Sequence, residues 1–467
     1  MNEKANEFAT WPATRLAAAI HDRQLSSREV LAGYLDRIAC GDGPVNSVVA
    51  LDEDRAMAAA KTADEDAARG RVHGPLHGVP CTIKDGIEVA GIRSTSGAPE
   101  LAEHVPTADA LAVARLRAAG AIVFGKTNVP IWCADMQTYN ELYGTTSNPW
   151  ALDRSPGGSS GGAAAAVACG FTGFELGTDL GGSVRIPAHL CGVLGLRPSY
   201  GVIPQNGYLP GISKSRAGLD VNVFGPIARA TSDLDLLLDV VAGPDARAGA
   251  GWRLELPRAS GRTLADYRIG LWLDDSFCPV ETEYLALIRG LVDRLAVWGA
   301  RLDERHPPVD FAESFHTYWT LMMAANGLNA PTDAQPDRGV SHPDWLAADD
   351  RRCRQRDIWQ RWFADEVDVL LCPVLATVAY PHNHSGDFST RFVPVNGRQR
   401  SHDDIARWTG LVGALGLPVA TVPIGHTTAG LPAGVQVIAA HLHDRDAVRV
   451  AELIAEVSGG YRLPPGC

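Results

Sequence analysis

The 467-residue sequence lacks a basic surplus, paired cysteines, a leader-like start and any apolar run suited to a bilayer. Lys and Arg number 42 against 54 Asp and Glu, a formal net charge of -12. That balance argues against a nucleic-acid-binding face and against attraction to anionic membranes. The nine cysteines, Cys40, Cys81, Cys133, Cys169, Cys191, Cys278, Cys353, Cys372 and Cys467, are scattered and odd in number, with no CxxC pair. Neither a disulfide framework nor a metal site is expected from them; reduced, buried thiols are. The first residues carry no basic segment followed by an apolar core, so no secretion signal is expected. The uncharged run over residues 408–425 is interrupted by glycines and prolines and reads as packed core. No repeat or low-complexity tract occurs. A cytoplasmic, soluble globular enzyme is the expectation.

What is present is an ordinary globular composition, 46% apolar and 21% charged, on a chain long enough for a large core. Ser26-Ser27-Arg28-Glu29 has the capping-box pattern, and Val30, Leu31, Tyr34, Leu35 and Ile38 follow at helical spacing. From residue 75 to 245, strand-like and helix-like pieces alternate: strands near 79–84, 121–124 and 174–177, helices near 108–119, 162–169 and 232–241. Such alternation predicts an α/β class, a sheet with helices on its faces. Later strands are expected near 269–272, 367–373, 418–423 and 435–440, with a helix over 282–297. Residues 245–365 shift in composition and read as a cap or insertion, without a linker that would demand a second domain.

Three segments carry chemistry. Ser159 lies in Gly157-Gly158-Ser159-Ser160-Gly161-Gly162, Ser183 in Thr178-Asp179-Leu180-Gly181-Gly182-Ser183, and Lys84 in Thr82-Ile83-Lys84-Asp85. Glycines around a hydroxyl let backbone N–H groups approach a substrate, because no Cβ intervenes. Gly157 to Gly161 also fits the nucleophile elbow GxSxG, which would make Ser159 the attacker with a later acid and histidine, for instance Asp368 with His382 or His384. Nothing around those residues marks a catalytic histidine, and His382-Asn383-His384 is a weak metal signal. The alternative uses all three segments. A buried, neutral Lys84 would draw a proton from one serine as that serine draws one from the other. On a strand, Lys84 and Asp85 point to opposite faces, so adjacency need not make them an ion pair. Residues 120–127 match the P-loop pattern GxxxxGK[ST], but their apolar centre reads as a strand. Cys133 has no histidine partner in view and is not expected to attack.

The run Gly157 to Gly201 resembles the amidase signature family. It includes Gly177-Thr178-Asp179-Leu180-Gly181-Gly182-Ser183-Val184-Arg185-Ile186-Pro187 and Cys191-Gly192-Val193-Leu194-Gly195-Leu196-Arg197-Pro198-Ser199-Tyr200-Gly201. The likeness extends upstream through residues 78–85 and 125–128 and downstream through 368–373 and 416 onward, weakest over 245–365. The resemblance implies one α/β/α domain over residues 1–467, with a large twisted mixed sheet covered by helices on both faces and a signature core at about 75–245. It implies Ser183 as nucleophile, Ser159 as bridging serine in a cis-peptide turn and Lys84 as base. The oxyanion hole falls on the amides of Leu180, Gly181, Gly182 and Ser183, with Asp179 and Arg185 as an internal ion pair and Cys133 and Ala134 lining the acyl-side entrance. Amide hydrolysis without cofactor or metal is implied, by a monomer or homodimer.

Phe315, Tyr318, Trp319, Trp345, Trp359 and Trp362 suggest a hydrophobic pocket, favouring aryl or alkyl amides. Esters and carbamates present the same electrophilic carbonyl. Some relatives are instead the amidase component of a tRNA-dependent amidotransferase. One departure is Gly413, where many relatives carry asparagine.

Overall fold

The computed structural model describes residues 7–209, 218–327, 339–386 and 390–467. Its centre is an 11-stranded sheet. In chain order the strands are β1 (Val48–Leu51), β2 (Pro80–Lys84), β3 (Ile122–Thr127), β4 (Glu175–Asp179), β5 (Leu194–Arg197), β6 (Val223–Ala228), β7 (Arg268–Leu271), β8 (Arg301–Asp303), β9 (Val369–Pro373), β10 (Val419–His426) and β11 (Pro432–Ala439). Across the sheet they run β1-β3-β2-β4-β6-β5-β10-β11-β9-β7-β8. β2 is parallel to both β3 and β4, the middle strands are antiparallel, and β7 is parallel to β8 and β9. The sheet is therefore mixed, and the α/β class holds. Its central strands are buried along their whole length, which is why they read as continuous apolar runs.

Helices cover the sheet. α1 (Ala13–His21) and α2 (Ser27–Gly41) open the chain. The capping box at Ser26 forms as expected, with Ser26 Oγ accepting from Glu29 N at 3.1 Å and the Glu29 carboxylate accepting from Ser26 N at 2.8 Å. α3 (Glu53–Ala68), α4 (Leu111–Ala118), α5 (Gly161–Ala168), α6 (Arg185–Cys191) and α7 (Thr231–Val241) follow. α5 is a run of alanine and glycine that is buried throughout, and small side chains let it sit close to the strands. Within residues 245–365, β7 and β8 extend the sheet's far edge, and α8 (Thr282–Val297) lies between them in sequence. α9 (Phe311–Gly327) and α10 (His342–Asp365) then pack on each other. α11 (Asp444–Ser458) lies on β10 and β11.

Two expectations need correction or refinement. Cys169 and Cys467 are bonded, 298 residues apart in sequence, because the chain's end is brought back to the C-terminus of α5; scattered spacing could not show that. The P-loop-like segment is strand β3, as its apolar centre indicates. Gly125 is there for strand pairing, since a Cβ would lie 2.7 Å from the Ala50 carbonyl. Lys126 turns inward, bound to the Ile87 carbonyl and, at 3.0 Å, to Ser94 Oγ. No phosphate loop exists there. Among the described residues no helix is long and apolar enough to cross a membrane.

Candidate active site

β2 and β4 lie side by side, with Thr82 opposite Glu175, and this pairing brings Lys84 beside the end of β4. Lys84 is fully buried, and its Nζ lies 2.7 Å from Ser159 Oγ and 2.7 Å from Thr178 Oγ1. No carboxylate pairs with it among the described residues. Asp85 is occupied elsewhere, accepting from Thr95 N at 3.1 Å and from the Thr95 hydroxyl. Burial draws the Lys84 pKa below the ordinary lysine range, against the opposing influence of Cys133, Asp179 and Glu175. The same desolvation raises the nearby Glu175 carboxyl to about 7. A lysine in this setting can hold a lone pair.

Ser159 sits in the turn before α5, after a cis Gly158–Ser159 peptide. Gly158 permits that turn because a Cβ would come within 2.5 Å of the Asp135 carbonyl and 2.8 Å of Gln137 N. The acid and histidines that a GxSxG elbow would need are engaged apart from it. Asp368 pairs with Arg268 at 2.9 Å, His384 stacks on Tyr139 with centroids 3.9 Å apart, and the His382 ring lies against His384 with centroids 5.4 Å apart. No group of metal-ligating side chains occurs among the described residues.

The turn from Leu180 to Val184 is wrapped around one carboxylate. Asp179 Oδ1 accepts from Gly182 N at 3.0 Å, and Oδ2 from Val184 N at 3.1 Å. The same carboxylate binds Arg185 at 2.9 Å and Arg197 at 3.0 Å, all three side chains fully buried. Burial alone would raise the Asp179 pKa, but the two guanidiniums outweigh it and hold the carboxyl well below the usual range. The expected Asp179–Arg185 pair is thus a triad completed by Arg197, which sequence reading missed. The glycine at 182 is required twice over. Its φ is +105°, and a Cβ would meet Thr409 at 2.8 Å. Because Gly182 gives its N–H to Asp179, the amides of Leu180, Gly181 and Ser183 are the ones left without an acceptor among the described residues.

The carbonyls of this turn are held from the other side. Tyr318 Oη donates to the Leu180 carbonyl at 3.2 Å, and Thr409 Oγ1 lies 3.1 Å from the Gly181 carbonyl. Tyr318 comes from α9, where sequence pattern gave only an aromatic cluster. The Gly413 departure has its explanation here: a Cβ would stand 2.5 Å from two carbons of the Tyr318 ring. Gly410 is under the same constraint, with a Cβ 2.7 Å from Phe315 and 2.8 Å from Tyr318. The two glycines form the seat of α9.

Ser183, Leu180 and Gly181 line a cavity of about 550 Å³ together with Cys133 and Ala134 and with Phe315, Tyr318 and Trp319. Trp359 and Trp362 belong to the main core instead, and Trp345 packs partly against the small cluster around Phe315. A larger cleft of about 1040 Å³ between α7 and α11 contains none of the residues singled out from sequence.

A family model described as Amidase matches residues 29–348 and 334–448. An acylamidase of Rhodococcus erythropolis is 34% identical over 466 residues, covering 94% of each chain. A glutamyl-tRNA(Gln) amidotransferase component of Chromohalobacter salexigens is 31% identical over 495 residues, covering 97% of each. Among solved structures, a bacterial aryl acylamidase of the amidase signature family superposes with a TM-score of 0.82 at 27% identity, covering 96% of both chains.

Proposed function

The chain belongs to the amidase (amidase signature) family of amide-hydrolysing enzymes, and from that premise we propose that it cleaves an amide through an acyl-enzyme on Ser183. The observation that carries this reading is the 2.7 Å contact between Lys84 Nζ and Ser159 Oγ in a buried setting where, among the described residues, no carboxylate pairs with the lysine. Neutral Lys84 donates one N–H to Thr178 and offers its lone pair to the Ser159 proton. Ser159 Oγ in turn takes the proton of Ser183 as Ser183 Oγ bonds to the carbonyl carbon. The oxyanion is met by the amides of Leu180, Gly181 and Ser183; loss of one such donor typically costs about 3 kcal/mol. The C–N bond breaks as the proton returns along the relay to the leaving nitrogen. Water, deprotonated by the same relay, then attacks the ester of Ser183 and releases the acid.

An apolar wall of Phe315, Tyr318, Trp319 and Met322 favours aryl or alkyl amides over small polar ones, with esters and carbamates as side substrates. Fluorophosphonate labelling followed by peptide mapping tests the assignment. Adduct on Ser183 that disappears in Lys84→Ala supports the relay; adduct on Ser159 refutes it. The amidotransferase relative is by its name one component of a larger enzyme. Hydrolysis of anilides by the purified chain alone, without a copurifying second protein, separates the stand-alone reading from that one.

A further inference from the structure

The cavity beside Ser183 is apolar along α9, but its charged lining is of one sign. Asp135 and Asp403 face it, and no Lys or Arg is among its lining residues. Asp135 is neutralised in place: Arg391 binds it at 2.5 Å, Tyr139 Oη donates to it at 3.2 Å and Gln137 N at 3.0 Å. Asp403 is not. It sits in the short helix His402–Ile405 next to Asp404, and Asp404 takes both nearby guanidiniums, Arg400 at 2.6 Å and Arg407 at 2.7 Å. Among the described residues the Asp403 carboxylate has no ion pair, and its Oδ1 is shielded from water without a hydrogen-bond partner.

A shielded carboxylate oxygen without a donor is costly, and native proteins seldom leave one. An acidic residue in the first turn of a helix is favoured by the helix dipole, which accounts for a charge at this position. It does not account for a charge that lines an apolar cavity with one oxygen unpartnered, where Arg407 acts on it electrostatically but is ion-paired with Asp404 instead. The neighbouring groups fit a cation. Phe315, Tyr318 and Trp319 line the same cavity, and aromatic rings attract ammonium groups through their faces. Ala406 and Thr409, one and two turns on from Asp403, continue its wall toward Gly181. The terminal torsion of an aspartate is broad, so either oxygen can turn to a ligand.

We infer that Asp403 is a recognition point for an ammonium group on the substrate, so that the preferred amides have an apolar body carrying a protonated amine. The inference rests on the acyl-enzyme reading of Ser183 and adds the substrate class. It also disfavours substrates bearing a carboxylate, which the unpaired Asp403 would repel.

The test uses 4-nitroanilides whose acyl chains of increasing length end in an ammonium, a methyl or a carboxylate group, together with anilides aminated on the ring. The purified full chain is expected to hydrolyse at least one ammonium member with kcat/KM about tenfold or more above its methyl counterpart, chiefly through KM. The carboxylate members should be poorest. In Asp403→Asn the ammonium-to-methyl ratio should collapse to about one, and the carboxylate members should gain relative to the methyl ones. Hydrolysis of methyl and ammonium members with equal efficiency, or an ammonium preference that survives in Asp403→Asn, overturns the inference while leaving the acyl-enzyme reading intact. No hydrolysis of any member, with no fluorophosphonate adduct on Ser183, removes both.

Discussion

Replacing Gly413 with alanine adds one methyl group, and the structure says where it goes. The new Cβ would stand 2.5 Å from Cδ2 and from Cε2 of Tyr318 and 3.3 Å from Cζ, where carbon atoms prefer about 3.5–4.0 Å. No positive φ is involved at Gly413, so the penalty is one of space alone. Tyr318 has little room to yield, being 3% exposed and bounded by Gly410 on the same segment and by Gly181 beyond its hydroxyl. The ring must move by roughly 1 Å, and overpacking of this kind costs about 1–3 kcal/mol. The same movement breaks the 3.2 Å bond from Tyr318 Oη to the Leu180 carbonyl, which loosens the turn that carries Ser183. Urea unfolding of Gly413→Ala should therefore show a loss of about 1–3 kcal/mol, with kcat reduced more than KM is raised. In a Tyr318→Ala background there is no ring to strike, and the added methyl should cost less than about 0.5 kcal/mol. An equal cost in both backgrounds would refute the explanation given for the missing asparagine.

Tyr318→Phe keeps the ring and removes only the hydroxyl, so steady-state kinetics should show kcat falling several-fold with thermal stability nearly unchanged. Lys84→Met should lower kcat/KM by about 10²–10⁴; in the parent enzyme, kcat/KM should rise with pH through the depressed Lys84 pKa and then level off, since only the neutral amine accepts a proton. Asp179→Asn leaves two buried guanidiniums facing a neutral group, and chemical denaturation should register a loss of about 3–5 kcal/mol. His189 is buried, and that burial holds its pKa to about 4. The unfolded chain therefore binds the extra proton between about pH 4 and 6.5, and unfolding free energy should fall as pH is lowered through that window, by at most about 3 kcal/mol. A His189→Asn variant should show a flatter fall, and one of unchanged slope would assign the effect to other groups such as His402, also held to about 4 by burial.

The signature region was readable because its turns are features of the backbone. Glycine spacing around Ser159 and Ser183 marks turns where a Cβ has no room, and a sequence states glycine directly. β2, β3 and β4 were legible from apolar runs, although β3 and β4 reach farther than the patterns indicated. β5, β6 and β8 were not seen; their residues include glycine, proline and arginine, and only pairing with neighbours makes them strands. The roles of Arg197, Tyr318 and Thr409 were hidden for another reason. Each acts on the Ser183 turn across a distance in sequence that no local pattern spans. Gly413 did carry a signal, as an unexpected glycine, but its meaning needed the ring of Tyr318 beside it. Asp403 carried no signal in the sequence, because what sets it apart is that its neighbour Asp404 takes both arginines.

The supports of the Ser183 turn also set a schedule for its assembly. Arg185 donates to the Thr409 carbonyl and to Gln436 Oε1, partners 224 and 251 residues later in the chain. At a synthesis rate of about 5–20 residues per second, Gln436 is made roughly 10–50 s after Arg185. During that interval the growing chain already contains Lys84, Ser159 and Ser183, and Asp179 already has Arg185 and Arg197, yet the last partner of the Arg185 guanidinium is still missing. A product that stops before β11 therefore carries Lys84, Ser159 and Ser183 but lacks both Gln436 and the strand that joins β10 to β9 in the sheet.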